Sequence, residues 1–353
     1  MTKKILYVLL IVVMLLGIAG CSVDEPADVA VPEEETSEEE VEGEEEAEPA
    51  AKSDIVAVSL GWQENESGQR FTEGYEGGFE ELGWEAVFSN ANYDPKLQSE
   101  QIDAFIEMNP KALFLTCSDP VGITQAVQRA IDADIPVFTA DCYIAGAAAI
   151  TQIASNQYGM GTYSMEYVMN AIGGEGKIGI VGLPNNETWI LRELGANYIL
   201  RNYPNVESVY WPYDPTGAVT PRQAIENMLT ANPELKAVWC AWDGAAMEGA
   251  LAAQEAGRDD IILTGIDGGE RAFEQIQAGG PFKLTMAQSI YWMSYMDTVY
   301  ANDFLNGEPA PRFVVAPVFA VTKDVLDAVP EDVNVANYDI PGMELELDWS
   351  PVR

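Results

Sequence analysis

Short apolar segments alternate with longer amphipathic ones from Ile55 almost to the end of the chain. A parallel strand can rejoin its sheet only after a crossover of a dozen or more residues, which is commonly a helix. The alternation therefore predicts parallel strands joined by crossover helices, which is an α/β fold of the doubly wound kind. The predicted strands are Ile55–Leu60, Glu85–Ser89, Ala112–Thr116, Pro136–Ala140, Ile150–Ala154, Lys177–Leu183, Val206–Tyr210, Ala237–Ala241, Ile261–Ile266 and Lys283–Ala287.

Glycine and proline mark the ends of the amphipathic segments. The clearest predicted helices are Phe71–Leu82, Pro95–Met108 and Gly244–Ala256, each followed by glycine or by an Asn-Pro pair. Such residues are the expected stops of a helix. A body of about 300 residues is too long for one simple core, so two lobes are expected.

The N-terminus predicts export. Two lysines, Lys3 and Lys4, precede the apolar run Ile5–Leu15, which is too short to span a bilayer but is typical of a signal peptide. The following Ile-Ala-Gly-Cys resembles a bacterial lipobox, which implies removal of residues 1–20 and lipidation of Cys21. An ordinary cleaved signal with a chance cysteine is the alternative. Acyl chains would hold the protein on a membrane without a spanning helix.

Residues 21–54 differ in composition from the body. They contain runs of glutamate, several prolines and alanines, and no aromatic residue. Such a segment cannot bury enough surface to fold, so it is predicted to be a disordered tether. Its reach lies between about 30 Å as a coil and about 110 Å when fully extended. An acidic tail that recruits a basic partner is the less favoured interpretation.

The charge excludes one class of partner. The chain has a net charge of −39, and its body from residue 55 still has 42 acidic against 15 basic residues. Nucleic acid binding needs a surface rich in lysine and arginine, so nucleic acid is not expected as a partner. An anionic lipid surface would also repel the body, which leaves anchoring to the acyl group.

The chain has no histidine, and this removes several kinds of active site. A Ser-His-Asp triad, a Cys-His pair and histidine-based metal sites are excluded. Three cysteines remain in the body: Cys117, Cys142 and Cys240. Small buried apolar residues are the favoured interpretation. A disulfide between Cys117 and Cys142 is an alternative interpretation, because their strands are successive. Zinc binding by these cysteines is disfavoured.

Polar side chains follow most of the predicted strands directly. Ligands of open parallel sheets bind beyond the carboxyl ends of the strands, where helix N-termini also point. Each polar residue there could equally be a helix cap. Together with two tryptophans they predict a cleft that suits a sugar or polyol, whose hydroxyls donate to carboxylates and whose CH face packs on a ring. These residues are Trp62, Ser118, Asp119, Asp141, Asn156, Trp242, Asp243, Asp267 and Gln288.

The order and spacing of several short motifs resemble those of type I periplasmic binding proteins, of the kind that binds ribose for an ABC transporter. The likeness covers roughly residues 55–323. The motifs are Leu82-Gly83-Trp84, Ala133-Asp134-Ile135-Pro136-Val137 before Asp141, Asn227 to Pro233 leading to Ala237-Val238, Gly249-Ala250-Leu251, Gly265-Ile266-Asp267-Gly268 and Ala287-Gln288.

The resemblance implies which residues contact the ligand. Asp141, Asp267 and Gln288 lie in matching motifs, and Arg192 matches the arginine that donates to sugar hydroxyls. Asp243 stands where the family has a polar residue that opens a helix, and Trp62 and Trp242 remain as stacking faces. The resemblance also implies no cofactor, no bound metal and no catalysis.

The family topology implies two lobes joined by three crossings. Lobe 1 is expected to comprise residues 55–155 and 289–318, and lobe 2 residues 156–288 and 319–353. The crossings are expected near Ser155-Asn156, near Gln288-Ser289 and around Ala316 to Phe319. The resemblance implies a monomer, lipid-anchored outside the bacterial cell membrane, that delivers its ligand to an ABC transporter permease.

Departures from the family pattern leave the ligand open. Cys142 follows Asp141 where many relatives have arginine, and Ser67-Gly68 replace an aromatic pair. A site with three aspartates and the single arginine Arg192 would also tolerate a cationic ligand. An amine-bearing or nucleoside-like ligand is therefore the alternative to a neutral sugar. Presentation of the closed form to a membrane receptor is the alternative to transport. Hydrolysis of a glycoside by paired carboxylates is disfavoured.

Overall fold

A computed structural model describes residues 52–184, 186–215 and 217–329. The predicted signal peptide, Cys21, nearly all of the predicted tether and the segment after residue 329 lie outside the described residues. The body consists of two α/β lobes, each built on a six-stranded sheet. No helix in the described ranges has the length and apolarity needed to cross a membrane.

Lobe 1 has the sheet order β11-β5-β4-β3-β1-β2, with every pair parallel. Its core packs aromatic rings between the sheet and helices, as where Phe79 meets Phe114 with ring centroids 5.1 Å apart. Its strands are β1 (Ile55–Leu60), β2 (Glu85–Asn90), β3 (Leu113–Thr116), β4 (Val137–Ala140), β5 (Thr151–Ser155) and β11 (Phe313–Ala316). Its helices are α1 (Glu66–Leu82), α2 (Pro95–Met108), α3 (Thr124–Asp132) and α9 (Ile290–Leu305).

Lobe 2 repeats this plan in the order β12-β10-β9-β8-β6-β7, and only its β10–β12 pair is antiparallel among the described pairings. Trp239 is fully buried in its core and donates through Nε1 to the hydroxyl of Ser164, 2.8 Å away. Its strands are β6 (Gly176–Gly182), β7 (Val206–Pro212), β8 (Leu235–Cys240), β9 (Ile262–Asp267), β10 (Phe282–Gln288) and β12 (Val318–Thr322). Its helices are α4 (Gln157–Ile172), α5 (Glu187–Leu200), α6 (Pro221–Ala231), α7 (Asp243–Glu255), α8 (Glu270–Gln277) and α10 (Lys323–Asp327).

The chain passes between the two sheets at three places that lie close together. The connections are β5 to α4 at Asn156, β10 to α9 at Ser289, and β11 to β12 at Pro317. The Ser289 hydroxyl donates to the Pro317 carbonyl, 3.3 Å away, so two crossings are bonded to each other. Each crossing leaves one residue between elements, which is the form expected of a hinge.

The structure corrects one prediction about the cysteines. Cys117 and Cys142 form a disulfide with Cα atoms 6.0 Å apart, so they are not the separate buried thiols that we favoured. The parallel pairing of β3 with β4 explains it, because Thr116 lies opposite Ala140 and brings the loops after both strands together. Cys240 is a free, buried thiol.

Candidate functional site

A small pocket lies where the carboxyl ends of the strands of both sheets meet. Lobe 1 provides the segments after β1, β2 and β4, and lobe 2 provides the segment after β6 and the last residues of β9 and β10. Its volume is about 20 Å³. We call it the inner pocket, and its lining residues are Trp62, Asn65, Ser67, Tyr93, Asp141, Asn186, Thr188, Trp189, Arg192, Asp267 and Gln288.

Asp141 lies directly after β4 with a left-handed backbone, φ 60°. Only 6% of the residue is exposed, and its Oδ1 accepts from the side-chain amide of Gln157, 2.9 Å away. Burial raises the pKa of Asp141 to about 7, although the nearby Arg192 lowers it and Asp267 raises it further. The carboxyl thus lies at the pocket with its charged form only weakly stabilised.

Arg192 is held by three protein groups and is 1% exposed. Its Nε donates to Gln157 Oε1 over 2.7 Å, its Nη1 to the carbonyl of Ala241 over 2.7 Å, and its Nη2 contacts Asp267 Oδ1 at 2.9 Å. Close helix packing fixes this position, because a Cβ at Gly161 of α4 would collide with the Arg192 carbonyl. Arg192 therefore holds the side chains of Gln157 and Asp267 in place at the inner pocket.

Asp267 and Gln288 end the neighbouring strands β9 and β10. Gln288 Nε2 donates to Asp267 Oδ1 over 3.0 Å, and its Oε1 accepts from Gln157 Nε2 over 3.2 Å. Asp267 has φ 133°, a conformation that costs a residue other than glycine about 1–3 kcal/mol. Burial raises the pKa of Asp267, and the Arg192 guanidinium opposes that rise. Such strain is typical of functional sites.

Asp243 supports the turn beside Asp267. Its Oδ2 accepts from the Gly268 amide at 2.8 Å and from the Thr285 hydroxyl at 2.9 Å. Its Oδ1 faces the interior, where a Cβ at Gly265 would collide with it. Burial raises the pKa of Asp243 to about 8. Both oxygens of Asp243 thus point at lobe 2, although the residue lines a neighbouring cavity.

Two stacks of aromatic rings border the inner pocket. In lobe 1 the Trp62 ring stacks on Tyr93 with centroids 5.7 Å apart. In lobe 2 Trp189 stacks on Trp242 at 4.5 Å, and Trp242 also packs on Tyr213 at 4.9 Å. Trp189 rather than Trp242 lines the inner pocket, because Trp242 lies behind it.

A larger cavity of about 310 Å³ opens next to the inner pocket and also lies between the lobes. The two share Asn65, Ser67 and Asp267. Trp242 and Asp243 line this outer cavity and not the inner pocket. Its other lining residues are Glu64, Glu66, Gln69, Gly244, Met247, Gly268, Gly269, Arg271 and Ala272.

Three polar residues that follow strands bond to other protein groups, and one of them, Asn156, is the N-cap of α4. The Ser118 amide and hydroxyl both donate to Gln98 Oε1. Asp119 accepts from the Val121 amide, and Asn156 accepts from the Gly159 amide at the start of α4. None of the three lines the inner pocket.

Three residues that are central to this geometry were not predicted from the sequence. Gln157 bonds Asp141, Gln288 and Arg192 at once. Tyr93 follows β2, and Trp189 lies in the first turn of α5 after β6. The rule that ligands bind beyond strand ends would have found all three if it had been extended through the first helical turn and applied to β2.

The site combines hydrogen-bond acceptors, amides and ring faces without an activated nucleophile among the described residues. Its oxygens and amides can orient hydroxyl or ammonium groups, and its rings can pack against a CH face or a cation. This arrangement suits reversible binding of a small polar molecule.

Comparison with known proteins agrees with the fold. Residues 56–309 match the periplasmic binding protein domain family. The D-apiose import binding protein of Actinobacillus succinogenes is 25% identical over 258 residues, 72% of this chain and 83% of the relative. The ribose import binding protein of Bacillus subtilis is 24% identical over 269 residues, 76% of this chain and 87% of the relative.

A solved structure gives the same result. The chain is similar to an ABC transporter solute-binding protein of Bacillus halodurans with bound myo-inositol, with a TM-score of 0.69 and 25% identity. The likeness covers 78% of this chain and 96% of that one. Because the family match spans more than half of the sequence and the two-lobed fold agrees with it, the chain belongs to the type I periplasmic binding proteins.

Proposed function

We propose that this protein captures a small sugar or polyol between its two lobes and delivers it to the permease of an ABC transporter. One observation carries the proposal: residues from both lobes line a single pocket at the carboxyl ends of both sheets. Its relatives import apiose and ribose, and a similar protein was solved with myo-inositol bound. Binding between lobes stabilises the closed form without covalent chemistry.

Capture requires the lobes to move. An inner pocket of about 20 Å³ is far smaller than a drug-sized ligand pocket of about 300–1,000 Å³. The lobes must separate to admit the ligand, and the three crossings at Asn156, Ser289 and Pro317 are where that motion would be absorbed. We assign residues 55–155 and 289–317 to lobe 1 and residues 156–288 and 318–329 to lobe 2, because Val318, expected in lobe 1, begins β12 of the lobe 2 sheet.

The ligand contacts follow from exposure to the inner pocket. Asp141, Asp267 and Gln288 would accept from or donate to the ligand, and Trp62, Tyr93 and Trp189 would pack against it. Arg192 would act mainly by holding Asp267 and Gln157, and Asp243 by holding the turn at Gly268. Trp242 would support the Trp189 ring from behind.

Export and anchoring complete the proposal. Signal cleavage before Cys21 and lipidation of that residue would place a monomeric body outside the cell membrane, on an acidic tether. Cys21→Ser should then move the protein from the membrane fraction to the soluble extracytoplasmic fraction, as followed by immunoblotting. If the variant stays in the membrane fraction, Cys21 is not the anchor.

A thermal-shift screen tests ligand capture. A solute that binds only the folded protein raises its melting temperature. At a free solute concentration of one hundred times Kd, binding adds about 2.7 kcal/mol to the free energy of unfolding. The panel comprises pentoses, hexoses, polyols and nucleosides. No shift with any member, or turnover of a glycoside, would contradict the proposal.

A matched pair of variants tests the position of the site. Asp267→Asn removes a carboxylate that lines the inner pocket, and we expect it to abolish the ligand-induced shift. Asp259→Asn removes an exposed carboxylate before the opposite end of the same strand β9, and we expect it to leave the shift intact. Equal shifts in both variants would place the ligand elsewhere.

A further inference from the structure

The inner pocket holds more acceptor groups than the protein itself satisfies. Asp141 of lobe 1 and Asp267 of lobe 2 both line it, and each uses only Oδ1 in hydrogen bonds or ion pairs within the described residues. Their Oδ2 atoms are without a partner there. One unpaired carboxylate oxygen from each lobe therefore lies at the same pocket.

Asp141 is the less compensated of the two. Only 6% of the residue is exposed. Even so, the neutral side-chain amide of Gln157 is the only hydrogen-bond partner of its carboxylate in the described chain. A buried carboxylate without a cation is costly unless a proton or another positive charge neutralises it. Asp243 differs, because its unpaired Oδ1 is sealed against Gly265 inside lobe 2.

The nearest cation, Arg192, is paired with Asp267 and acts on Asp141 only through its charge. Arg192 donates through Nε to Gln157 and through Nη1 to a backbone carbonyl, and its Nη2 contacts Asp267. When Asp141 and Asp267 are both ionised, the single guanidinium of Arg192 leaves the inner pocket with an excess of negative charge. The described residues contain no group of three metal-ligating side chains, so a metal ion is a poor candidate for the missing charge.

The ring faces around the pocket are compatible with an organic cation. Trp62, Tyr93 and Trp189 all line it. Aromatic faces attract ammonium groups within about 6 Å of the ring centroid. They would equally pack against the CH face of a neutral sugar, so the unpaired carboxylates decide the inference.

We propose that the natural solute carries a protonated amine, an amino sugar or amino polyol, whose ammonium group lies between Asp141 and Asp267 and bridges the two lobes. This inference rests on the proposed function of solute capture. An ammonium group donates three hydrogen bonds and carries a positive charge that would offset the negative charge of the two carboxylates. A hydroxyl donates one hydrogen bond and carries no charge.

Matched probes test the inference on the unmodified protein. Titration calorimetry compares glucamine with sorbitol, D-glucosamine with D-glucose, and D-galactosamine with D-galactose. We expect at least one amine to bind about tenfold or more tightly than its neutral counterpart, as for a hydrogen bond to a charged group. The inference is overturned if no amine exceeds its counterpart. Binding of the neutral members would then still support solute capture.

Two further readouts locate the ammonium group. Asp141→Asn should reduce the ratio of amine to neutral affinity about tenfold, whereas Asp132→Asn, an exposed carboxylate at the end of α3, should not. An unchanged ratio in Asp141→Asn overturns the placement, and a melting curve of each variant shows whether it is folded.

The pH dependence gives an independent check. Asp141 faces Arg192 of α5, Asp267 at the end of β9, Gln157 of α4 and Tyr143 in its own loop. Because its pKa is raised to about 7, ionisation on going from pH 5.5 to 7.5 should strengthen the binding of glucamine. A flat profile for glucamine, or a parallel rise for sorbitol, contradicts the inference.

Discussion

At the scale of single residues, Arg192 lines the inner pocket and also holds three neighbouring groups in place. Its Nε, Nη1 and Nη2 contact Gln157 Oε1, the Ala241 carbonyl and Asp267 Oδ1 respectively, and the residue is 1% exposed. Arg192→Ala leaves these acceptors uncompensated inside the protein. We expect the free energy of unfolding to fall by about 3–5 kcal/mol, the usual cost of breaking a buried ion pair. Urea denaturation measures this.

Arg201→Ala is the matched control for Arg192. It removes an exposed arginine just after the same helix α5, so surface charge changes equally while no buried acceptor loses its donor. We expect a cost within about 0.5 kcal/mol, as for surface substitutions. Similar stability losses in both variants would show that the buried network contributes little.

Another buried carboxyl, that of Asp297, does not line the inner pocket. Asp297 of α9 is fully buried, accepts from the Tyr75 hydroxyl at 3.1 Å through Oδ2, and leaves Oδ1 without a partner in the described chain. Burial raises the pKa of Asp297 well above its ordinary value, while the hydrogen bond from Tyr75 lowers it. The folded protein therefore holds a proton that the unfolded chain releases near pH 4.

This shift predicts a pH-dependent stability. A carboxyl with a raised pKa in the folded state stabilises fully below its unfolded pKa, and the stabilisation is lost as pH rises toward the folded pKa. Compared with Asp297→Asn, the native protein should lose up to about 1.4 kcal/mol of stability per pH unit above pH 4. Urea denaturation from pH 4 to 7 measures the difference.

The control for Asp297 lies on the same helix. Asp303→Asn removes a partly buried carboxyl and keeps Asp297, so its stability curve should keep the pH dependence that Asp297 gives the native protein. The same pH dependence for Asp297→Asn would show that Asp297 is ionised in the folded protein.

At the scale of elements, the disulfide joins the ends of β3 and β4 directly beside Asp141. Cys142 follows Asp141, and the bond to Cys117 closes a sequence separation of 25 residues. Closing such a loop stabilises by about 3 kcal/mol in the chain-entropy model. The Cys117→Ser/Cys142→Ser variant should lose about that much stability and should also bind ligand less tightly, because Asp141 is less restrained.

Reducing agent provides the control for this prediction. Tris(carboxyethyl)phosphine should lower the melting temperature of the native protein and leave that of the double variant unchanged. A native protein that melts at the same temperature with and without the reductant would mean that the bond is not formed in solution.

The sequence predicted the first ten strands better than it predicted helix starts and the last two strands. Each of the ten predicted strands overlaps an observed one. Central strands such as β3 and β4 are fully buried and are short continuous runs of mostly apolar residues. Helix α1 begins at Glu66 and not at Phe71, since Asn65 caps a polar first turn by accepting from the Gly68 amide. Strands β11 and β12 were not predicted, and β11 alternates exposed and buried residues at a sheet edge.

The site shows the same division. Position after a strand is a property of the sequence, so Asp141, Asp267 and Gln288 could be placed at the cleft in advance. Which oxygen faces the ligand depends on packing between elements, and sequence alone could not show that Asp243 turns inward or that Trp189 covers Trp242. The bridging role of Gln157 likewise depends on Arg192 approaching from α5.

At the scale of the whole molecule, the proposed capture of a solute depends on how readily the lobes close. The carboxylate of Glu66 in α1 lies against Gly269 of lobe 2, where a Cβ would come within 2.5 Å of Glu66 Oε1. Gly269 has φ −172°, an extended backbone that any residue adopts, and it is the N-cap of α8. A side chain can therefore be added here without straining either lobe.

Gly269→Asp should hold the lobes apart. Aspartate is a favourable N-cap, so α8 should be as stable as before or more so. In the closed form, however, its carboxylate would meet that of Glu66, and the like charges would repel. If closure becomes tenfold less populated, the apparent Kd rises tenfold. Titration with a solute found in the thermal-shift screen measures the affinity, and small-angle X-ray scattering measures the radius of gyration.

Two companions separate charge from bulk. Gly269→Ser caps α8 without a charge and should bind almost normally. Glu66→Lys combined with Gly269→Asp replaces the repulsion by an attraction and should restore affinity, more completely at low salt because exposed charges are screened. If Gly269→Asp binds as tightly as the native protein at low salt, the lobes do not close along the surface formed by Glu66 and Gly269, and capture by closure there is wrong.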